Sequence, residues 1–482
     1  QEVEQMNLFK DMVCYQEEVR DPSRMAEVLN RVIEKAFRGS APAQINVPRD
    51  YWTQVIDIEL PPIVRFERQG GGKEAIENAA KLLSKAKFPV ILSGAGVVLG
   101  GAIDECKKLA EKLDAPVCNG YQHNDSFPGS HPLAVGPLGY NGSKAAMELI
   151  SKADVVLALG TRLNPFSTLP GYGIDYWPKK ATIIQVDMNP DRIGLTKKVS
   201  VGICGDAKQV AQQILDKLSS DAGNTGREER KNLIHKTKSA WLQTLSGLDH
   251  EEDDPGTVWN KEARERDKDR MSPRQAWRAI QDALPQDAII SSDIGNNCAI
   301  GNAYPTFEKP RKYLAPGLFG PCGYGFPAIL GAKIGCPDTP VVGFAGDGAF
   351  GISMNEMSSC AREEWPAITM VIFRNYQWGA EKRNSILWFD DNFVGTELDP
   401  ELSYAKVANA CGLKGVTCKT MEETTKAIKQ SCEDQKKGIT TFIEIILNQE
   451  LGEPFRRDAM KKPVKVAGIK KEDMKKQPSL IS

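Results

Sequence analysis

The sequence predicts an α/β protein of several domains, each a parallel sheet flanked by helices. Three observations lead there. Short apolar runs such as FPVILSG (88–94) and DVVLALG (154–160) read as strands buried on both faces. Segments of helical period, such as AIDECKKLAEKL (102–113), alternate with them. The chain's 482 residues exceed what one core supports, so about three domains are expected.

Taken in order, residues 1–66 offer little for a core. MAEVLNRVIEKAFRG (25–39) has helical spacing and a Gly stop, and PAQINVP (42–48) reads as a strand. This segment is expected to be the end of a larger α/β unit. The start, QEVEQMNLFK, is polar and has no initiator Met, so the chain reads as beginning partway through a longer one. QGGGK (69–73) is a linker, and residues 68–218 form a central α/β domain. Its strands are 88–94, DAPVCN (114–119), 154–160 and ATIIQVD (181–187), and its helices include SKAAMELISKA (143–153).

Residues 219–270 are polar and are expected to be a helical or mobile connector, with its charge runs DHEEDDPG and KEARERDKDR a solvated surface. A second α/β block occupies 271–447: the helix PRQAWRAIQDAL (273–284), then DAIISSD (287–293), a Gly/Pro-rich stretch (316–327), TPVVGFAGD (339–347), ITMVIFRN (368–375) and TTFIEIIL (440–447). The tail, 448–482, is basic.

Apolar residues make up 41% and charged residues 26%, with net charge −1, so neither nucleic acid nor an anionic membrane is expected as a partner. No apolar run approaches the about 20 residues of a spanning helix. Eleven scattered cysteines without a C-x-x-C pair suit thiols in a reducing cytoplasm better than disulfides or a zinc site.

The chemistry concentrates around AGDGAF (345–350). Asp347 ends one strand between Gly346 and Gly348, and Asn375 ends the next, 28 positions later. A right-handed strand–helix–strand crossover makes those strands parallel and brings both ends to one rim. A carboxylate and an amide oxygen there suit Mg²⁺ or Ca²⁺. Amides of Gly348 and Ala349 are candidates for an adjacent phosphate. The sequence Ser353–Glu356 (S-x-x-E) reads as a capping box opening the intervening helix.

Gly346-Asp347-Gly348 followed by Asn375 resembles the cofactor motif of the thiamine diphosphate-dependent acetolactate synthase and pyruvate oxidase superfamily. SDIGNN (292–297), FGPCGYGFP (319–327) and HPLAVGPLG (131–139) resemble further segments of it. The resemblance implies a multi-domain thiamine diphosphate-enzyme fold, with Mg²⁺ held by the side chains of Asp347 and Asn375 and the backbone oxygen of Gln377. Gly295, Asn296, Asn297, Gly320, Cys322, Gly346, Gly348 and Ala349 would contact the cofactor. Cys322 stands where the family usually has Met. Residues 1–66 would be the end of the pyrimidine-binding domain. The family's cofactor-activating Glu belongs to a segment upstream of this start. Neither Glu2 nor Glu4 takes that role, and the chain as given is expected to be nearly inactive.

After Gly379 the acetolactate synthases carry apolar residues, whereas this chain has Glu381, Lys382, Arg383 and Asn384. Lys382 and Arg383, with Arg456 and Arg457 of GEPFRR (452–457), are candidates for an anionic substrate, as is His123 in NGYQHND; ordinary surface charge is the alternative. PGYGIDYWP (170–178), NYQWGAEKRN (375–384) and EPFRRDAMKKP (453–463) resemble the branch of the superfamily that converts sulfoacetaldehyde and phosphate to acetyl phosphate and sulfite. The other expectation is an acetolactate synthase or pyruvate oxidase type. GAG (94–96), GTR (160–162) and DMNP (187–190) resemble flavin contacts, but LNPFSTLP after Arg162 departs from the flavin pattern, and FAD is not expected. The resemblance further implies a homodimer or homotetramer.

Overall fold

The computed structural model describes residues 2–62, 67–247, 265–317, 319–388 and 393–450. The chain divides into two units after Arg68. In the first, β1 (Tyr15–Glu18) and β2 (Ala43–Asn46) pair in parallel. The helix Met25–Gly39 connects them and buries Val28 and Val32 with Val19. The polar sequence YQEE hides β1 from an apolar-run reading; its Glu17 is covered by Arg31 at 2.8 Å. Gly39 is the last helical residue, and Ser40, at φ 46°, takes the left-handed cap. A Cβ on Gly39 would stand 3.0 Å from Cys14 Sγ, so close packing explains the glycine.

The second unit holds two sheets. The first comprises β3 (Pro89–Ser93), β4 (Val117–Asn119), β5 (Ala134–Pro137), β6 (Val155–Leu159), β7 (Thr182–Asp187) and β8 (Val201–Cys204), all parallel. Their order is β5-β4-β3-β6-β7-β8. Every residue of β3 and β6 is buried, as an apolar run covered by helices on both faces requires. The chain reverses direction across the sheet between β3 and β6. There Gly96 donates its N–H to Gly160 O at 2.8 Å, and a Cβ on Gly94 would lie 2.6 Å from that oxygen. The GAG turn is therefore explained by two turns in contact.

Part of the connector is a packed helix. Its helix Arg227–Gly247 buries Arg230, Ile234, Thr237 and Trp241 along one face. Arg230 donates to the carbonyls of Lys87, Leu113, Asp114, Gly223 and Thr225. The run DHEEDDPG lies outside the described residues.

The second sheet comprises β9 (Ile289–Ser292), β10 (Tyr313–Leu314), β11 (Val341–Gly346), β12 (Thr369–Arg374), β13 (Lys414–Cys418) and β14 (Thr441–Ile446). All pairings are parallel, in the order β10-β9-β11-β12-β14-β13. The connection from β9 runs to one side and those from β11 onward to the other. The crevice beyond the carboxyl ends of β9 and β11 is thus where an open α/β sheet takes a ligand. The buried Trp277, from the helix Pro273–Gln281, packs on Phe344 and Phe373 with ring centroids 4.8 and 5.3 Å away. No helix among the described residues is long and apolar enough to cross a membrane.

Candidate active site

β11 and β12 are hydrogen-bonded neighbours with Gly346 opposite Phe373, so Asp347 and Asn375 leave adjacent strands at the same rim. Both are buried, at 1% and 2% exposure. Asp347 Oδ2 accepts the Tyr376 N–H at 2.7 Å and Arg374 Nη1 at 3.1 Å, and Oδ1 accepts the Gly348 N–H at 2.9 Å. The Asp347 carboxylate therefore reaches the residue next to Asn375. Asn375 Oδ1 is a buried acceptor with no protein partner, as is Gln377 Oε1. Such an orphan is costly unless something outside the chain satisfies it. Gln377 faces Glu397 across an antiparallel bridge. The bonds of that bridge come from Trp378 N and Tyr376 O, which leaves the Gln377 carbonyl outside it.

Burial pushes the Asp347 carboxyl up to about 6, against the charge of Arg374 and the amides of Tyr376 and Gly348. A cation beside it would act in the opposite direction. The donor set here is hard oxygen: a carboxylate, an amide oxygen and an unused carbonyl. Among the described residues no three His, Cys, Asp or Glu side chains gather for a metal, so a cation here would draw its other oxygens from a ligand or water.

The helix does not open at Ser353. It runs Asp347–Ser353 and starts at Asp347 itself, while Ser353 makes no cap bond and its Oγ is unpartnered. Ala349 and Phe350 are buried in this first turn, and that packing starts the helix six residues early. The two glycines of GDG differ. A Cβ on Gly346 meets open space, whereas one on Gly348 would stand 2.8 Å from the Trp378 ring. The space beside Gly346 is open, whereas Gly348 makes room for a tryptophan.

Beyond β9, Asp293 organises the neighbouring segments. Oδ1 accepts from Ile294 N at 2.8 Å and Gly323 N at 3.1 Å, and Oδ2 from Gly325 N at 2.7 Å. Asp293 thereby ties the GPCGYG loop to Gly295, Asn296 and Asn297. Gly295 (φ 134°), Gly320 (φ 72°) and Gly323 (φ 87°) supply backbone conformations that suit glycine. Sequence reasoning passed over Asp293; its signal was a carboxylate ending an apolar strand, the same signal that singled out Asp347. Asn297 O accepts Trp277 Nε1 at 2.6 Å, while Asn297 Oδ1 and Asn296 Nδ2 have no partner. Cys322 is half-buried near Asp293 and Glu381, and burial first, then those charges, raise its thiol.

The cationic candidates scatter. Lys382 is buried, pairing with Glu397 and donating to Gln449 Oε1 at 3.0 Å, so it tethers the helix Gly379–Trp388. Arg383, also buried, donates to the Tyr140 hydroxyl, which bonds Asn296 Oδ1 at 3.2 Å. Arg383 thus sits where the two sheets' loops meet, beside the Gly295–Asn297 segment. The His123 imidazole packs near Gly120 in the β4 loop, and burial, then the charge of Arg162, push it down to about 4. It is neutral near pH 7 and keeps one ring N–H to donate. Arg456 and Arg457 lie outside the described residues.

Residues 76–214 match the thiamine pyrophosphate enzyme central domain, and residues 293–445 match the thiamine pyrophosphate enzyme C-terminal TPP binding domain. The chain is 78% identical to a probable sulfoacetaldehyde acetyltransferase of Rhizobium meliloti, over 99% of this chain and 81% of the relative. It is 76% identical to the sulfoacetaldehyde acetyltransferase of Roseovarius nubinhibens, over 99% and 79%. A probable acetolactate synthase large subunit of Methanocaldococcus jannaschii is 28% identical over 89% and 71%. In fold, the chain is similar to benzoylformate decarboxylase from Polynucleobacter necessarius, with TM-score 0.72 and 20% identity over 94% of this chain and 79% of that one. With family models matching residues 76–214 and 293–445 and relatives 68–78% identical over 99% of the chain, the chain belongs to the thiamine pyrophosphate enzymes and, within them, to the sulfoacetaldehyde acetyltransferase family.

Proposed function

We propose that this protein is a thiamine diphosphate- and Mg²⁺-dependent acyltransferase that converts sulfoacetaldehyde and phosphate to acetyl phosphate and sulfite. The observation that carries the reading is the rim where buried Asp347 and the orphaned Asn375 Oδ1 leave adjacent strands, in a chain whose near relatives bear that activity's name. Asp347, Asn375 Oδ1 and the Gln377 carbonyl would hold Mg²⁺. The open side of Gly346, the amides of Gly348 and Ala349, and the segment Gly295–Asn297 would receive the diphosphate; Gly320 and Cys322 would meet the cofactor through their backbones. When bound, thiamine diphosphate supplies a carbon nucleophile for the aldehyde.

The chain's own groups bind and orient the anions. Arg383, held by Tyr140 beside Asn296, is the candidate for a sulfonate or phosphate oxygen, because a guanidinium fork matches tetrahedral oxyanions. Lys382 acts through the tether to Glu397 and Gln449 that fixes the helix bearing Arg383. The partners are small anions, and neither nucleic acid nor a membrane takes part. The eleven free cysteines support a reducing cytoplasm. A homodimer or homotetramer is the proposed assembly, to be measured by light scattering.

The test is an assay of the full-length gene product. Sulfite and acetyl phosphate should appear together from sulfoacetaldehyde, only with phosphate, thiamine diphosphate and Mg²⁺ present. Pyruvate consumption without sulfite release would overturn the reading in favour of an acetolactate synthase or pyruvate oxidase type.

A further inference from the structure

We propose that Arg374 is a positioning residue for the cation site: by engaging one oxygen of Asp347 it leaves that carboxylate a single oxygen to offer, and so favours Mg²⁺ over Ca²⁺. The inference rests on the reading that Asp347 is a metal ligand.

Arg374 ends β12 and is 0% exposed. Its surroundings fix it from several sides. Nη1 donates to Asp347 Oδ2, and Nη2 to the carbonyls of Asp399 and, at 3.0 Å, Leu402. The guanidinium lies 4.2 Å from the Tyr376 ring centroid and 5.4 Å from that of Tyr404. Glu444 Oε1 stands 3.8 Å from Nε, and Glu444 is itself held by Ser403 Oγ at 2.7 Å and Tyr404 N at 3.1 Å. Tyr404 closes the arrangement, its hydroxyl donating to the Asp347 carbonyl at 2.9 Å. The planar guanidinium spans acceptors on two sides, Asp347 Oδ2 from Nη1 and the two carbonyls from Nη2, while Nε faces Glu444 without a hydrogen bond.

A cation already sitting on a metal-binding carboxylate weakens that carboxylate's pull on any second cation. The compensation lies in which oxygen is taken. Oδ2 carries both Arg374 and the Tyr376 N–H, the latter aimed by a left-handed Tyr376 backbone (φ 61°), whereas Oδ1 carries only the adjoining Gly348 amide. Two-oxygen ligation by Asp347 is thereby opposed. Ca²⁺ readily takes carboxylates through both oxygens and accepts six to eight ligands; Mg²⁺ demands octahedral geometry. Blocking Oδ2 therefore acts against Ca²⁺ more than against Mg²⁺.

The experiment is calorimetric titration of thiamine diphosphate into the apo full-length protein at graded Mg²⁺ or Ca²⁺, with Trp378 fluorescence as a second readout because its ring packs on Gly348. Wild type is compared with Arg374→Lys and with Arg374→Met/Glu444→Gln, which removes both charges of the buried pair. The ratio of Ca²⁺ to Mg²⁺ half-saturation should fall about tenfold in the double variant and about threefold in Arg374→Lys, with cation-free melting temperatures recorded alongside. An unchanged ratio in Arg374→Lys overturns the inference even if the double variant does not fold. If wild type binds the cofactor without needing either cation, the metal-ligand reading itself falls.

Discussion

Adding one methyl group at Gly348 tests how tightly the candidate site is built. A Cβ there would stand 2.8, 2.9 and 2.9 Å from three atoms of the Trp378 ring. Carbon atoms rest about 3.5–4.0 Å apart, so the ring or the helix start must move by roughly 0.7 Å. Neither is free to do so. Trp378 N is bonded to Thr396 O at 2.8 Å, and Asp347, next to the new methyl, is tied to Tyr376 and Arg374. Overpacking of this kind costs about 1–3 kcal/mol, or a drop of roughly 2–12 °C in melting temperature for a domain of this size. Gly348→Ala should show that drop by calorimetry, together with weaker Mg²⁺-dependent thiamine diphosphate binding. Trp378→Ala in the same chain should recover at least half of the Gly348→Ala loss, since the two residues are in contact and should not add independently. Gly346→Ala is the contrast: its φ of −69° suits any residue and its Cβ meets nothing, so folding stability should hold while cofactor binding weakens. A Gly348→Ala protein that melts and binds like wild type would refute the packing argument.

Three further outcomes follow from the same structure. Arg230→Met strips the donor from five backbone carbonyls and should destabilise the protein by at least about 3 kcal/mol in urea denaturation. Asp293→Ala releases the amides of Ile294, Gly323 and Gly325; hydrogen exchange at Gly323 and Gly325 should accelerate, and thiamine diphosphate affinity should fall about tenfold, roughly 1.4 kcal/mol. His123 has a folded-state value of about 4 against 6.5 in the unfolded chain, so between those values the unfolded state binds more proton. Stability should therefore fall as pH drops from about 6.5 towards 4, by at most about 3 kcal/mol from this group, and His123→Asn should flatten that part of a pH-dependent urea series.

Much of this molecule was legible because its strands are buried on both faces. β3, β6, β11 and β12 announce themselves as unbroken apolar runs, and the carboxylate and amide that end β11 and β12 stand out against them. The elements that escaped are those whose environment is mixed. β13, at the sheet edge, is KGVTC with an exposed Lys414; β10 is two residues long; β1 is polar and partly covered by an ion pair. The local signal at Ser353–Glu356 lost to tertiary packing at Ala349 and Phe350. Long charged side chains misled most. Lys382 reads as a substrate ligand or a surface charge, and nothing singles out Arg230 or Arg374, yet each is buried on partners distant in sequence that no local pattern encodes. Among the described cationic candidates, only Arg383 is placed by the fold beside the Gly295–Asn297 segment.

In the proposed reading Asp347 and Asn375 would hold one cation beside the diphosphate. Calorimetric titration of thiamine diphosphate into the full-length protein tests this most directly, with and without Mg²⁺, in wild type, Asp347→Ala and Asn375→Ala. Wild type should bind only with Mg²⁺, and each variant should lose at least a hundredfold in affinity, about 2.7 kcal/mol, while keeping its fold by circular dichroism. Mg²⁺-independent binding, or folded variants that bind as wild type does, would contradict it.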